Sequence, residues 1–243
     1  MTHDQSAIDP DVARVQSLDA VPRILDAVAQ LTGMRFAAIA KVTDSRWIAC
    51  AVNDQLEFGL APGGELVLET TICNEIRQHH QPVVFGDVTR DPVYSQHHTP
   101  KHYGLESYIS VPIFLRDGAF FGTLCAIDSR PAKLDDPAIV RSLQLFAEML
   151  GLQLEMADNL RLAQARLQDA HFREKLLAGT EQEIRNLIQP MITYLYLLGT
   201  SPTLGAEDRK LVAEMETSCK QLTELLRHEL DAAFGRIGRQ LGH

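Results

Sequence analysis

The sequence YISVPIFLRDGAFFGTLCAI, residues 108–127, decides the fold class of this chain. Two runs rich in aromatic and β-branched residues, 108–115 and 120–127, lie on either side of the polar tripeptide RDG at 116–118. Apolar runs of this length around a short turn that contains glycine are typical of a β-hairpin. The stretch therefore predicts two adjacent antiparallel strands.

The residues before this hairpin predict three more strands and two helices. Apolar side chains recur on one helical face over 18–32, and 70–79 has the composition of a second, short helix. Strands are predicted at 36–42, 47–52 and 83–85. With one more helix after the hairpin, this order predicts an α+β fold, in which an antiparallel sheet is flanked by helices.

Composition limits the classes of function. The chain has 243 residues and a net charge of −9, which disfavours a nucleic-acid-binding surface. No apolar run reaches the roughly 18 residues of a membrane-spanning helix, and the polar, acidic first residues are unlike a secretory signal. Four cysteines without a CxxC pair favour neither a disulfide framework nor a zinc module. We expect a cytoplasmic protein with no membrane or nucleic-acid partner.

The polar segment 87–104 contains two prolines and predicts a long loop. A loop of this length inside a compact domain often carries function. Five of the nine histidines fall between 79 and 102. Neighbours such as His79 and His80 point about 100° apart on a helix and do not converge on one ion. The histidines therefore predict a solvated segment and no metal site.

Two segments of the predicted hairpin carry a resemblance to a known family. Residues 106–113 (ESYISVPI) and 122–128 (GTLCAID) resemble consecutive sheet strands of GAF domains. The apolar helix that follows, around residues 143–147, resembles the closing helix of that family. The resemblance implies a sensor domain over 18–150, preceded by a polar N-terminal segment at 1–17.

GAF domains hold ligands between the sheet and a cover of helix and loop, which here would be 70–79 and 87–104. The resemblance implies that the pocket is lined by residues from these segments and from the sheet. The candidates are Phe58, Thr71, Cys73, Asp87, Tyr94, Tyr108 and Ser110. Such a mixture of apolar and polar side chains suits a small molecule. The alternative is that these side chains only pack the domain core.

The residues do not name the ligand or a cofactor. Bilin-binding GAF domains attach the chromophore through a cysteine that histidine typically follows, whereas Asn74 follows Cys73 here, and Cys50 and Cys125 precede alanines. The asparagine, lysine and aspartate signature of cyclic-nucleotide GAF domains is not recognisable. The number of cysteines would allow a GAF-type thiol reductase, but buried structural thiols are favoured.

A narrow apolar row predicts a coiled coil after the sensor domain. Its members are spaced by three or four residues, which is close to the heptad pattern. They are Leu145, Met149, Leu152, Met156, Leu160, Ala163, Leu167 and Ala170. We expect a signalling linker over 151–180 that pairs with the same helix of a second chain. The alternative is that the helix folds back on its own domain.

Two amphipathic helices, separated by a loop at 199–205, are predicted in the remaining segment 181–243. Two such helical hairpins can bury their apolar faces in a dimeric four-helix bundle. The hairpin resembles the dimerisation and phosphoacceptor domain of sensor histidine kinases, because residues 183–186 (EIRN) and the Gln189-Pro190 pair match its first helix.

The family's phosphoacceptor histidine is replaced by Gln182, whose amide has no imidazole nitrogen to take a phosphoryl group. The resemblance implies a docking surface for a response regulator or a histidine kinase. The candidate docking residues are Gln182, Glu183, Arg185, Asn186 and Gln189. About 45 residues follow this first helix, too few for the ATP-binding domain of that family.

The sequence thus predicts a non-catalytic, homodimeric GAF sensor or adaptor, coupled by a coiled coil to a degenerate kinase-like bundle that docks a two-component partner. One alternative is a small-molecule, haem or bilin sensor whose helical tail only dimerises. Another is an enzyme, either a thiol reductase that uses Cys73 or a phosphotransfer protein that uses His228.

Overall fold

The structure, a computed structural model, describes residues 8–203 and 205–240. The chain divides into two compact units, Met1–Asn159 and Leu160–His243. The elements of the first unit are α1 (Pro10–Gln16), α2 (Val21–Thr32), β1 (Phe36–Val42), β2 (Trp47–Asp54), β3 (Glu65–Leu66), α3 (Ile72–His79), β4 (Val83–Phe85), α4 (His98–Tyr103), β5 (Ser107–Phe114) and β6 (Phe120–Asp128). Short 3-10 turns occur at Leu68–Thr70 and Val88–Arg90. A long helix, α5 (Pro137–Gly199), begins in the first unit, and α6 (Ala206–Gln240) lies in the second.

One six-stranded sheet organises the first unit, in the order β3-β2-β1-β6-β5-β4. Every pair of neighbours is antiparallel. The predicted hairpin is β5–β6, in which Tyr108 lies opposite Ile127 and Ser110 lies opposite Cys125. The predicted antiparallel sheet with flanking helices is therefore confirmed.

The two faces of the sheet form separate cores. One face packs against α1, α2 and the start of α5, and it buries Ile39, Ile109 and Leu124. The other face packs against α3, with Phe36 and Tyr108 buried in it. Because side chains alternate along a strand, each strand serves both cores.

The first part of α5 closes the larger core. Leu143, Ala147, Leu150 and Leu154 recur at helical spacing, and all four are buried. A Cβ at Gly151 would overlap the carbonyl oxygen of Phe114, so glycine permits the helix to lie directly on β5. Leu154 is buried beyond residue 150, where the sequence placed the domain boundary, and the compact unit extends to Asn159.

The predicted polar segment 1–17 contains a helix that the sequence did not predict. α1 begins at an N-cap, Asp9, whose carboxylate accepts a hydrogen bond from the backbone N–H of Asp11 at 2.9 Å. Val12 and Val15, three residues apart, are buried against the sheet. Two apolar residues among polar ones are too weak a periodic signal to reveal a helix that depends on tertiary packing.

An ion pair joins the start of β1 to the end of β6. The Arg35 guanidinium donates from Nε to Asp128 Oδ2 at 3.0 Å and from Nη2 to Oδ1 at 2.6 Å. The backbone N–H groups of Arg35 and Arg130 donate to the same carboxylate, at 2.9 and 3.1 Å. Burial raises the pKa of Asp128, but these hydrogen bonds outweigh burial, so the pKa lies below its usual value.

The second unit is a helical hairpin. Ile184 and Ile188 on α5 share a groove with Leu226 on α6, and Gly199 lies beside Val212, so the two helices are antiparallel. Ile188 and Val212 are buried between them. The helix prediction for 151–198 is met by one uninterrupted helix that contains Pro190. Within the described residues, no helix is both long enough and apolar enough to span a bilayer.

Candidate functional site

A small cavity lies within the core between α3 and the sheet. Its volume is about 40 Å³. The wall is mainly apolar and aromatic, with two thiols and two threonines. It consists of Phe36, Trp47, Phe58, Leu60, Leu66, Thr71, Ile72, Cys73, Thr99, Tyr103, Leu105, Tyr108, Cys125 and Ile127.

The strand register explains why these side chains meet. Tyr108 and Ser110 are two residues apart on β5, and Thr123 and Cys125 are two apart on β6, so each pair points to the α3 face. On β1, the partner of Cys125 is Ala38. Small side chains here leave room above the sheet for the first turn of α3.

The start of α3 places Cys73 over β6. Thr71 is the N-cap, and its hydroxyl accepts a hydrogen bond from the backbone N–H of Asn74 at 3.3 Å. The same hydroxyl donates to the carbonyl of Leu68 at 2.8 Å. Cys73 is therefore held in the first helical turn, where the helix dipole favours negative charge. Its side chain is buried.

Several donors converge on the sulfur of Cys73. Thr123 Oγ1 donates to Cys73 Sγ at 3.2 Å, and the hydroxyl of Tyr108 lies 3.5 Å from the same sulfur. The Cys125 thiol donates to the Ala38 carbonyl at 3.6 Å and lies near enough to Cys73 to affect its pKa. The influence of Cys125 lowers the pKa of Cys73 most, burial opposes it, and the two hydroxyls lower the pKa further. The net effect is a lowered pKa for Cys73 and a raised pKa for Cys125, so the pair favours one shared negative charge on Cys73.

Two buried polar groups near the thiols lack a hydrogen-bond partner among the described residues. They are the indole Nε1 of Trp47 and the hydroxyl of Ser110. Trp47 Nε1 is near enough to Cys73 to lower its pKa, although the geometry does not qualify as a hydrogen bond. An unpaired buried donor costs free energy, so the site favours a small polar molecule that would accept from it.

An aromatic cover closes one side of the cavity, which remains partly open. The Phe58 ring packs against Phe36 and Tyr103, with centroid distances of 5.2 and 5.8 Å. The Asp54 carboxylate fixes the segment that carries Phe58, because it accepts hydrogen bonds from three backbone N–H groups, those of Leu56, Phe58 and Gly59. Opening the cavity further therefore requires this anchored loop to move.

The structure brings together four of the seven predicted pocket residues. Phe58, Thr71, Cys73 and Tyr108 line the cavity. Ser110 is buried next to this group, opposite Cys125.

Asp87 and Tyr94, the other two predicted pocket residues, lie outside the cavity wall. Asp87 caps a 3-10 turn, and its carboxylate accepts from the backbone N–H of Thr89 at 3.0 Å. Tyr94 stacks on Phe85 with a centroid distance of 5.0 Å. The predicted long loop thus has internal structure, including α4.

Sequence reasoning missed Trp47, Tyr103 and Cys125 as cavity residues. Cys125 had a usable signal, because it lies on the second strand of the predicted hairpin, opposite the candidate residue Ser110. Trp47 and Tyr103 had none, since the register of β2 and the fold of the loop bring them to the cavity.

Two side chains of the histidine-rich segment 79–102 contact other residues of this chain. His97 Nε2 lies 2.5 Å from the Glu75 carboxylate, and His98 Nε2 lies 2.9 Å from the carbonyl of Glu69. Within the described part of the chain, no group of three histidine, cysteine or acidic side chains is placed to hold a metal ion.

The five predicted docking residues all lie exposed on α5. Gln182 Nε2 donates to Asn186 Oδ1 at 2.9 Å, one turn further along the helix. Arg185 pairs with Glu181 at 2.6 Å. The arrangement offers a polar helical surface with no nucleophilic nitrogen at position 182.

Comparison with known proteins places these features in context. Over 231 residues the chain is 26% identical to the diguanylate cyclase DgcP of Escherichia coli K12, an alignment that covers 93% of this chain and 59% of that protein. The chain thus spans less than two thirds of the length of this curated relative.

The chain is similar to solved structures of GAF domains. The GAF domain of PixJ from Thermosynechococcus elongatus, in its blue-light-absorbing form, is 14% identical, with a TM-score of 0.51 over 67% of this chain and 98% of that one. The GAF domain of an Acinetobacter phosphoenolpyruvate-protein phosphotransferase is 15% identical, with a TM-score of 0.46 over 62% of this chain and 91% of that one. The family model of the GAF domain matches residues 18–154, more than half of the chain. With its six-stranded antiparallel sheet and helical cover, this chain belongs to the GAF domain family.

Proposed function

We propose that this chain is a non-catalytic signal-transduction protein, a homodimer in which the GAF cavity detects a small molecule and α5 carries the signal. One observation carries the proposal: α5 has two apolar faces. Leu150 and Leu154 are buried in the sensor core, whereas Leu152 and Met156, on the other side of the same turns, are 49% and 69% exposed. The second face has no partner within the described residues of one chain.

The exposed face has the spacing of a coiled-coil seam. Leu145, Met149, Leu152 and Met156 are exposed, and the row continues along α5 with Leu160 and Leu167. A stripe this narrow and this long is buried by a parallel copy of the same helix. Isolated exposed leucines are ordinary on a protein surface, but a periodic row of them marks an interaction face.

The hairpin supports the same dimer. Leu187 and Met191 on α5 and Leu211, Met215 and Leu222 on α6 are exposed, although the hairpin already buries Ile188 and Val212. A second hairpin would cover this remaining apolar surface in a four-helix bundle.

The size of the cavity bears on the ligand. About 40 Å³ accommodates a molecule the size of one or two waters, whereas drug-sized ligands occupy roughly 300–1,000 Å³. A bilin, a haem or a nucleotide would have to displace the anchored cover that carries Phe58. We therefore favour a small ligand over the chromophore sensor, the second candidate.

We propose that the partner is a response regulator or a histidine kinase. The support is the likeness of residues 183–186 to the kinase helix and the exposure of Gln182, Glu183, Arg185, Asn186 and Gln189. The diguanylate cyclase relative suggests a different output. The crosslinking and nucleotide-turnover experiments below distinguish a docked two-component partner from that output.

The dimer is tested by native mass spectrometry of the full chain and by sedimentation. Leu167→Asp places a charge in the proposed seam and should shift the protein to monomer. Gln168→Asp adds the same charge at the adjacent exposed position outside the seam and should leave the dimer intact. A wild-type protein that is monomeric at micromolar concentration would refute the proposal.

The partner is tested with a photo-crosslinking residue at position 182 and purified receiver domains. We expect a crosslinked receiver domain, and Arg185→Glu should abolish it, whereas Arg173→Glu, on the linker part of α5, should not. Turnover of ATP or GTP by the purified chain would contradict the non-catalytic proposal.

A further inference from the structure

Two of the four cysteines form a buried pair in the cavity wall. Cys73, from the first turn of α3, and Cys125, from the middle of β6, line the same cavity, and Cys73 accepts a hydrogen bond from Thr123, which lies two residues from Cys125 on the same face of β6. The other two cysteines lie elsewhere. Cys50 is buried in the core on the opposite face of the sheet, and Cys219 lies on α6.

We propose that Cys73 and Cys125 are a peroxide-oxidisable dithiol, so that the cavity detects hydrogen peroxide by closing a disulfide between α3 and β6. This inference rests on the proposed sensor function for its signalling consequence, and it names the class of signal. The chemistry itself needs only the first unit.

Cys73 is the nucleophile of the pair. Its sulfur accepts a hydrogen bond from Thr123 at 3.2 Å, lies 3.5 Å from the Tyr108 hydroxyl, and sits at the N-terminal turn of an eight-residue helix. These groups stabilise the thiolate, which is the reactive form, and the pKa of Cys73 is lowered accordingly. For Cys50, by contrast, burial outweighs the backbone hydrogen bond from Lys41 and raises the pKa to about 12.

The cavity selects the oxidant by size and polarity. A volume of about 40 Å³ admits hydrogen peroxide, which is little larger than water, and excludes a glutathione-sized disulfide. Trp47 is buried, and its unpaired Nε1 is available to donate to a peroxide oxygen beside Cys73. The wall, as formed by the described residues, contains the Cys73 thiolate and no Lys, Arg or His side chain, so it disfavours anionic oxidants.

The reaction balances in two steps. The Cys73 thiolate attacks one peroxide oxygen, the S–O bond forms, the O–O bond breaks, and hydroxide leaves and takes a proton to become water. The Cys125 thiol then attacks Cys73 Sγ, the S–S bond forms, and the S–O bond breaks as the hydroxyl leaves with the Cys125 proton as water. Two thiols lose two electrons and one peroxide gives two waters.

Oxidation changes the contact between α3 and the sheet. The Cys125 thiol, which donates to the Ala38 carbonyl in the reduced protein, is replaced by a covalent S–S bond of about 2.05 Å with a restricted dihedral angle. Cys73 also ceases to accept from Thr123 and Tyr108. The first turn of α3, a part of the cavity cover, is thereby repositioned over β6.

The test counts thiols in the full chain, in a Cys219→Ser background that removes the partly exposed cysteine. Reduced protein is treated with equimolar hydrogen peroxide, quenched with catalase, denatured and alkylated, and its intact mass is measured. We expect the free thiols to fall from three to one, and tryptic peptides 47–77 and 117–133 to be joined, with fragmentation of the joined peptide placing the linkage at Cys73, because peptide 47–77 also contains Cys50. Retention of three thiols, a linkage through Cys50, or a sulfinic acid at Cys73 without a linkage would overturn the proposal.

Matched variants distinguish oxidation of the Cys73–Cys125 pair from unspecific oxidation of any cysteine. Cys50→Ser should still lose two thiols, whereas Cys73→Ser should lose none. In case Cys73→Ser does not fold, Thr123→Val keeps every thiol but removes a donor, and oxidation should slow about fivefold. Thr123→Ser should restore the rate, and an unchanged rate in Thr123→Val would contradict the assignment of Cys73 as nucleophile. Glutathione disulfide should leave the thiols unreacted, and equally fast loss of two thiols with it would refute selection by the cavity.

The dithiol proposal and the proposed sensor function can fail independently. The Leu167→Asp monomer should form the disulfide as readily as the wild type, because both thiols lie in one sensor unit. A disulfide that forms without any change in the dimer or in partner binding would leave the dithiol assigned and refute its signalling role.

Discussion

Replacing Leu154 by alanine should destabilise the first unit by about 3 kcal/mol, although the residue lies beyond the domain boundary expected from the sequence. Its side chain is 1% exposed and belongs to the core formed by α1, α2, α5 and the sheet. Truncating a buried leucine to alanine costs about 2–5 kcal/mol, the sum of lost transfer free energy and the cavity left behind. The middle of that range applies to a helix packed on one side.

Leu152→Ala is the matched control. It removes the same atoms from the same helix two residues away, but Leu152 is 49% exposed in one chain. Its cost to the folding of the sensor unit should stay within about 0.5 kcal/mol. Its effect should appear instead in the dimer, as weaker self-association.

Trp47 makes the measurement specific to the first unit. It is the single tryptophan of the chain and is buried in the wall of the cavity. Urea unfolding followed by its fluorescence therefore reports on the sensor core alone. With a slope near 2 kcal/mol per molar urea, Leu154→Ala should lower the midpoint by about 1.5 M. Measurements at two protein concentrations tenfold apart show how much the proposed dimer contributes to the free energy of unfolding.

Equal shifts of the urea midpoint for Leu152→Ala and Leu154→Ala would refute the reasoning, since the two faces of α5 would then contribute equally to the stability of the first unit. A shift for Leu154→Ala below about 1 kcal/mol would place the end of the sensor core before this residue, as the sequence suggested.

Three further predictions concern single contacts. The pKa of Asp128 is lowered on folding. The stability that Asp128 contributes is therefore fully present above its unfolded pKa of about 3.9 and is lost as the pH falls through the lower folded pKa. Acid titration should show a smaller loss of folding stability in Asp128→Asn than in the wild type. Thr71→Ala should cost about 1 kcal/mol through loss of the N-cap, seen as faster hydrogen exchange at the Asn74 amide, and Thr71→Ser should be neutral. Gly122→Ala should cost about 3 kcal/mol in thermal melting, because a Cβ there overlaps the Ala40 carbonyl, whereas Gly179→Ala, with open space around it, should be neutral or stabilising.

Local patterns predicted the sheet well. The hairpin of β5 and β6 combines two apolar runs with a turn that contains Gly118, and both strands end within one residue of their predicted limits. The strands β1 and β4 begin and end where the sequence placed them. These elements carry their signal in neighbouring residues, which is why they could be predicted from one sequence.

The cavity was predicted only in part because it depends on distant residues. Cys73 and Tyr108 were found, but Trp47 reaches the site only after β2 pairs with β1, and β1 in turn with β6. Asp87 and Tyr94 were placed in the pocket because the resemblance to GAF domains made the loop 87–104 part of the ligand cover. In the structure, the capping of the turn by Asp87 and the stacking of Tyr94 on Phe85 occupy both side chains elsewhere.

The two-faced helix α5 restricts how this sensor can be joined to any output. Each added residue turns a helix by about 100° and advances it 1.5 Å, so the seam of Leu152 and Met156 keeps a fixed angular phase to the core residues Leu150 and Leu154. Chimeras that insert seven residues downstream of Asn159 keep that phase to within about 20°, whereas an insertion of two residues rotates the seam by about 200°, to the opposite side of the helix. A series of such fusions with increasing insertion length, in which the activity of the output domain is measured, would reveal whether the signal depends on rotation of the helices or only on bringing two output domains together.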